Sequence, residues 1–416
     1  MTAVVPATAA PETQRRAVRV LVGSQALGAV GVSSGIAVGG LIAEDVSGST
    51  SLSGLAQTSV VLGSALAALP MSRLMATYGR RPGLVAGYAA GALGAALVIT
   101  SAVVRSFPLQ LVGAALFGAA TAANLQARYA AADLAAPAGR GRALSTVVWA
   151  TTAGAVLGPN LFGPGSSLAR LMGLPELAGP YLFSLLSFVL GGLTVHLLLR
   201  PDPLLEARRL AGTAGAPAPR RSLRASLAVV RASPPAVLGL AAIVLGHAAM
   251  ISVMVMTPVH MRHGGAELTV VGVVISMHVA GMYALAPLVG WLADRLGRVP
   301  VLLGAQGVLL AAVLVAGTSS SSALLGVGLF LLGLGWSGAL VAGSTLLSES
   351  VPLLERPAVQ GGADFAMGMG GAVAGTAAGL VLGTVGYGGL NAVTALLVAP
   401  VLLLAAAAGR RPPVAA

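Results

Sequence analysis

The 416-residue chain has no cysteine, so it can build neither a disulfide framework nor a thiolate metal site. Charge is also scarce: 9% of residues are charged, and only 12 are acidic against 24 basic. Aromatic residues make up 4%, with three Trp, six Tyr and seven Phe, a thin supply for an aromatic-lined drug pocket. There is no lysine, and every basic residue is arginine. No phosphate loop follows a predicted strand, no H-E-x-x-H occurs and no paired carboxylates cluster, so an enzyme is not expected and no cofactor is called for.

What is present is apolar: 56% of residues are hydrophobic and the mean hydropathy is +0.91. Runs of about 20 apolar residues mean membrane helices. Hydrocarbon offers no partner to a backbone amide, so each span must bond within itself, and an all-α polytopic bundle follows. The 57 glycines lie inside these runs, where small residues let helices approach closely. The net charge of +12 could suggest nucleic acid, but its placement argues against that partner. On the topology below, all but Arg105, Arg128, Arg170 and Arg262 fall on one side. That asymmetry is the positive-inside pattern, and it places both termini in the cytoplasm; the expected location is the inner membrane.

Apolar segments fall near 17–43, 52–77, 82–104, 108–132, 142–165 and 179–199, then near 235–259, 267–292, 299–317, 322–347, 359–384 and 388–408. The predicted organisation is a disordered tail (1–16), a six-helix half (17–199), a basic linker (200–234), a second six-helix half (235–408) and a short tail (409–416). The run after the first tail is too long for a cleaved signal. The halves rhyme: each fourth span ends in an acid followed by arginine, Asp133 with Arg140 and Arg142, and Glu349 with Arg356. Two parallel repeats of this kind are related by an axis along the membrane normal.

After its second span, each half carries a glycine-arginine loop: GWLADRLGR at Gly290–Arg298 and a degenerate MATYGRRP at Met75–Pro82. This pair resembles the signature loop of the major facilitator superfamily of secondary transporters. The resemblance implies twelve helices in two pseudo-symmetric halves, alternating access and a loop on the cytoplasmic side. Gly290, Asp294, Arg295, Gly297 and Arg298 match the motif in the later copy, and the resemblance puts Asp294 against the start of the fifth span, near Arg142 to Ser145. The early copy departs, with Ala76 for the Asp and Ser72 for the first Gly, but keeps Arg80. Asp364 in the eleventh span is the partner the family implies for Arg80, an interhalf pair closing the cytoplasmic gate. Arg128 is expected to snorkel to the interface, and His196 to lie at a membrane interface.

His247 to Met282 holds six of the 12 methionines and four of the five histidines. Met250 and Met254 share a face, with His247 a turn earlier, and His278 and Met282 are likewise four apart. Three thioethers and an imidazole are soft, uncharged ligands suited to Cu(I). Here the sequence resembles the facilitator-type copper importers of bacteria, whose seventh span carries M-x-x-x-M and whose eighth carries H-x-x-x-M. Thr257, Pro258, Met261, Pro287 and Gly290 add to the likeness. Packing methionines are the plain alternative, and Arg262 is ill placed for a cation at the outer mouth. In the fifth span, Gly154, Gly158, Pro159 and Gly163 partly resemble the motif of drug–proton antiporters, which would imply efflux of a small hydrophobic compound. Gly154, Gly158 and Pro159 also serve close packing and bending whatever the solute. The expected partners are a small solute, with Cu(I) the candidate, protons and the lipid bilayer, with the chain a monomer.

Overall fold

The structure, a computed structural model, describes residues 11–213 and 222–409, and all regular elements there are helical. Four long helices open the chain: α1 (Pro11–Ser47), α2 (Thr50–Tyr78), α3 (Arg80–Val104) and α4 (Phe107–Ala132). Helix α1 begins at Pro11, so residues 11–16, expected as part of a disordered tail, are helical. Helices α5 (Arg140–Trp149), α6 (Thr151–Asn160) and α7 (Phe162–Leu171) take the place of the fifth span. The breaks between them, Ala150 and Leu161, keep right-handed helical dihedrals. Pro159 inside α6 lacks the N–H that would bond one turn back, so the crossing bends rather than stops. Helix α8 (Gly179–Leu198) completes the first half.

The expected linker is partly helical: α9 (Pro203–Leu210) and α10 (Leu223–Arg231) lie within 200–234. Most of its loose AGTAGAPAP segment falls outside the described residues, as does nearly all of the final tail. The second half runs α11 (Pro234–His263), α12 (Leu268–Tyr283), α13 (Ala286–Leu296), α14 (Arg298–Gly317), α15 (Ser322–Glu349), α16 (Arg356–Leu396) and α17 (Ala399–Gly409). Gly386, at φ 71°, turns the chain inside α16 and so separates the eleventh and twelfth spans. Among the described residues ten helices are long and apolar enough to cross a membrane. The short pieces of the fifth span and the fused eleventh and twelfth account for the difference from twelve. The protein is a multi-pass membrane protein.

Contacts divide the chain into two compact units: Met1–Ala136 with Thr146–Leu223 and Leu353–Phe365, and Pro137–Ser145 with Arg224–Pro352 and Ala366–Ala416. Each half of the sequence thus lends one short segment to the other's unit: the start of its own fifth or eleventh span. In the first unit α1 packs on α6 and α8, and α3 and α4 pack together. Phe117 meets Tyr181 and Phe188 edge-on at centroid distances of 5.4 and 5.1 Å. In the second unit α15 is the central element, packed by α11, α12 and α14. Leu238, Ala242, Leu302, Ala342, Leu346 and Val401 form one of its buried clusters.

Candidate functional site

The second-half loop closes α13 and opens α14. Gly297 stands between them at φ 96°, a conformation that excludes most side chains. Asp294, in the last turn of α13, accepts from the backbone N–H of Gly141 (2.8 Å) and of Arg142 (2.9 Å). These amides lie in the first turn of α5, where unpaired N–H groups and the helix dipole favour an anion. The carboxylate is further held by Arg142 Nε at 3.3 Å and Arg298 Nη1 at 3.1 Å. Arg298 itself donates to Glu349 through Nε (3.2 Å) and Nη2 (2.9 Å), and to the Pro137 carbonyl. Arg295 points away and lies over the Trp291 ring at 5.2 Å. The expected position of Asp294 is therefore right to within one residue. Gly290 is needed for another reason: a Cβ there would fall 2.0 Å from Ser145 Oγ and 2.5 Å from the Gly141 carbonyl.

The first-half loop holds its arginine deeper. Arg80, the first residue of α3, is fully buried. Its Nε donates to Asp133 Oδ2 at 2.7 Å, and Nη2 donates to Asp133 Oδ1 at 3.2 Å and to Gln360 Oε1 at 2.6 Å. The expected Arg80–Asp364 pair is thus overturned. The Arg80 fork is filled by the acid that ends α4, and Gln360 is the residue of α16 that reaches it. Asp364 lies one turn, about 6 Å, further along the same helix.

There Asp364 finds Arg128. Arg128 Nη2 donates to Asp364 Oδ1 at 2.6 Å, and Gln126 Nε2 donates to Oδ2 at 2.6 Å. The two charged side chains are 1% and 2% exposed, so Arg128 does not snorkel to an interface. It is instead held by Asp364, the Tyr129 hydroxyl at 3.1 Å and the Tyr129 ring at 4.3 Å. Such a buried pair is costly to desolvate, and breaking it costs still more. Gln126, Tyr129 and Gln360 carry no charge and leave no signal in the sequence. Asp133 and Glu349 stand out there as a repeat, but nothing in the sequence joins them to Arg80 and Arg298.

The chain matches the family model described as Major Facilitator Superfamily over residues 21–268 and 260–416. It belongs to the major facilitator superfamily. Two relatives named as uncharacterized MFS-type transporters of Bacillus subtilis (strain 168) are each 37% identical: YdeG over 91% of this chain and 89% of its own, and YddS over 94% and 92%. The riboflavin transporter RfnT of Brucella anthropi is 28% identical over 94% of this chain and 96% of its own. Among solved structures, a bacterial homologue of ferroportin in an outward-facing state aligns with a TM-score of 0.74 at 17% identity, over 95% of this chain and all of that one. The superfamily transporter FucP aligns at 0.73 and 18%, over 94% and 97%. These likenesses show the superfamily fold.

Within that fold, α15 orients both histidines of the predicted cargo cluster. His247 Nδ1 accepts from Trp336 Nε1 at 3.0 Å, and an indole N–H only donates, so the imidazole proton sits on Nε2. His278 Nδ1 lies 2.8 Å from the Leu329 carbonyl, which only accepts, so Nδ1 carries the proton. His278 Nε2 is then a lone pair, buried and without a hydrogen-bond partner among the described residues. Met250 is 2% exposed, whereas Met254 and Met282 are half-buried. Among the described residues no three His, Cys, Asp or Glu side chains gather as a metal site. Trp336 also meets Tyr283 edge-on at 5.9 Å, and His247 lies 6.2 Å from it. In α6, Cβ atoms at Gly154 and Gly158 would fall 2.2 Å from the Ala29 backbone and 2.3 Å from Ser33 Cβ, so both glycines pack α6 against α1 beside Pro159.

Proposed function

We propose that the protein is a secondary active transporter that moves a small solute across the inner membrane by alternating access. In this reading the two loop clusters, with Arg128–Asp364, form its cytoplasmic gate, and both termini lie on that side. The supporting observation is that every cluster ties side chains of one sequence half to the other: Asp294 to Gly141 and Arg142, Arg80 to Gln360, Arg128 to Asp364. A site that alternates must break such contacts once per cycle. The absence of cysteine makes the test direct. Ser72→Cys and Ser145→Cys are read by maleimide labelling, and Asp364→Asn is expected to speed labelling at position 72. Labelling that ignores Asp364→Asn would remove the gate.

For the cargo, the favoured class is a small heteroaromatic solute. Trp336, Tyr283 and His247 form a largely buried aromatic and hydrogen-bonded group in the second unit that would meet a ring on opening, and a relative covering nearly the whole chain is named a riboflavin transporter. Labelled riboflavin is the first probe, with Trp336→Ala expected to abolish its transport. Cu(I) is the second reading, favoured by the free lone pair on His278 Nε2 and by the thioethers of Met250, Met254 and Met282. Its test is cell copper in low-copper medium with Met254→Ala/His278→Ala: a fall, with riboflavin transport unchanged, would exchange the two readings.

A further inference from the structure

The early loop has lost the carboxylate that Asp294 supplies in the later one, and the chain explains why it could. Gly141, whose N–H binds Asp294, lies eight residues after Asp133, and eight residues after Glu349 stands Pro357, which has no amide hydrogen. A carboxylate at Ala76 would have no such donor to meet. What the first-half loop meets instead is the linker helix α9. Arg208 Nη1 donates to the Ala76 carbonyl at 2.8 Å. Asp202, the N-cap of α9, accepts from the N–H of Leu204 (3.0 Å) and Leu205 (3.2 Å) and, at 2.7 Å, from the N–H of Arg81 in the first turn of α3. One carboxylate therefore serves two helix starts. Gly79, at φ 93°, completes the fit, since a Cβ there would fall 2.5 Å from Asp202 Oδ2.

We infer that the linker helix α9 is the latch of the first-half loop, with Asp202 and Arg208 as positioning residues that take over the work of the missing motif carboxylate. Arg208 is suited to a latch that must release. It is 5% exposed, its Nε and Nη2 have no hydrogen-bond partner among the described residues, and its surroundings hold Arg80 together with the carboxylates of Asp133 and Asp202. A buried guanidinium with two donors unsatisfied regains hydration when the loop opens, and that gain offsets the loss of its one hydrogen bond. The connection between the halves is then part of the gate.

The inference rests on the gate reading, and the test separates the two. In full-length protein in membranes, maleimide labelling is measured at Ser72→Cys, which is 3% exposed and packed on Gly361. Arg208→Ala, which removes one hydrogen bond, is expected to raise the labelling rate about fivefold; Asp202→Ala, which removes three, is expected to raise it at least as much, and both leave Ser145→Cys unchanged. In an Ala76→Asp/Pro357→Gly background, which restores both carboxylate and amide donor, Arg208→Ala is expected to have no effect. If Asp364→Asn raises labelling while Arg208→Ala and Asp202→Ala do not, the latch is wrong and the gate stands. If none of the three does, the gate itself fails. Equal rises at both reporter positions, unrescued by the restored motif, would mean that Arg208 only holds the fold together.

Discussion

At the second-half loop a carboxylate, Asp294, closes on two amides of α5; at the first-half loop Ala76 offers no carboxylate and Pro357 no amide hydrogen. Yet the rest of the arrangement is shared. In each half the arginine that opens the third span grips the acid at the end of the fourth, Arg80 on Asp133 and Arg298 on Glu349. In each, a glycine meets a serine where two helices touch, and here the two loops have exchanged partners. In the later copy the loop supplies the glycine, Gly290, against Ser145. In the early copy the loop supplies Ser72, and α16 supplies the glycine, Gly361, whose Cβ would lie 2.3 Å from Ser72 Cβ. Close approach of two helices needs one of the facing residues to lack a Cβ and is indifferent to which. What looks like motif decay at Ser72 is the same contact with its halves traded.

The largest effects should come from the pair that has no counterpart in the other cluster. Arg128→Ala or Asp364→Ala leaves a buried charge alone, and each is expected to cost about 3–5 kcal/mol in denaturant unfolding of the purified protein. Removing both charges as Arg128→Leu/Asp364→Leu should cost clearly less than either single change; an additive loss would contradict the pairing. Next, Arg80→Ala should destabilise more than Arg298→Ala, because Asp133 is 2% exposed and Glu349 23%. Equal losses in the same unfolding experiment would mean the two clusters are equally dry. The glycine exchange gives a finer test. Gly361→Ala should cost about 1–3 kcal/mol by overpacking and be largely restored by Ser72→Gly. For Gly290→Ala, Ser145→Gly should restore only part, since the Gly141 carbonyl stays in the way. The smallest change marks the floor: Arg170→Ala, from an ion pair with Glu176 in which both side chains are more than half exposed, should shift stability by less than about 1 kcal/mol.

Much of this was legible in the chain. The glycine-arginine loops resemble the superfamily signature, and that resemblance put Asp294 beside the start of α5, where Gly141 and Arg142 meet it. For Arg80 the same resemblance implies Asp364, and only the register of α4 against α16 says that Gln360 meets Arg80 while Asp364 meets Arg128. The linker illustrates the same limit. Asp202 before Pro203 is a readable N-cap, but nothing in its spacing says that α9 docks on a loop more than a hundred residues earlier.

Composition and periodicity by themselves determined the multi-pass helical class, because a backbone in hydrocarbon can satisfy its amides only within helices, and apolar runs of that length have no other stable form. They also determined the two-fold repeat, since both halves carry the same local signals in the same order. Only the tertiary structure decided which charge faces which, which side of a helix contact gives up its Cβ, and where α9 docks. Those outcomes depend on helix rotation and depth to within one turn, and burial at that precision is what turns a set of compatible side chains into a particular pair.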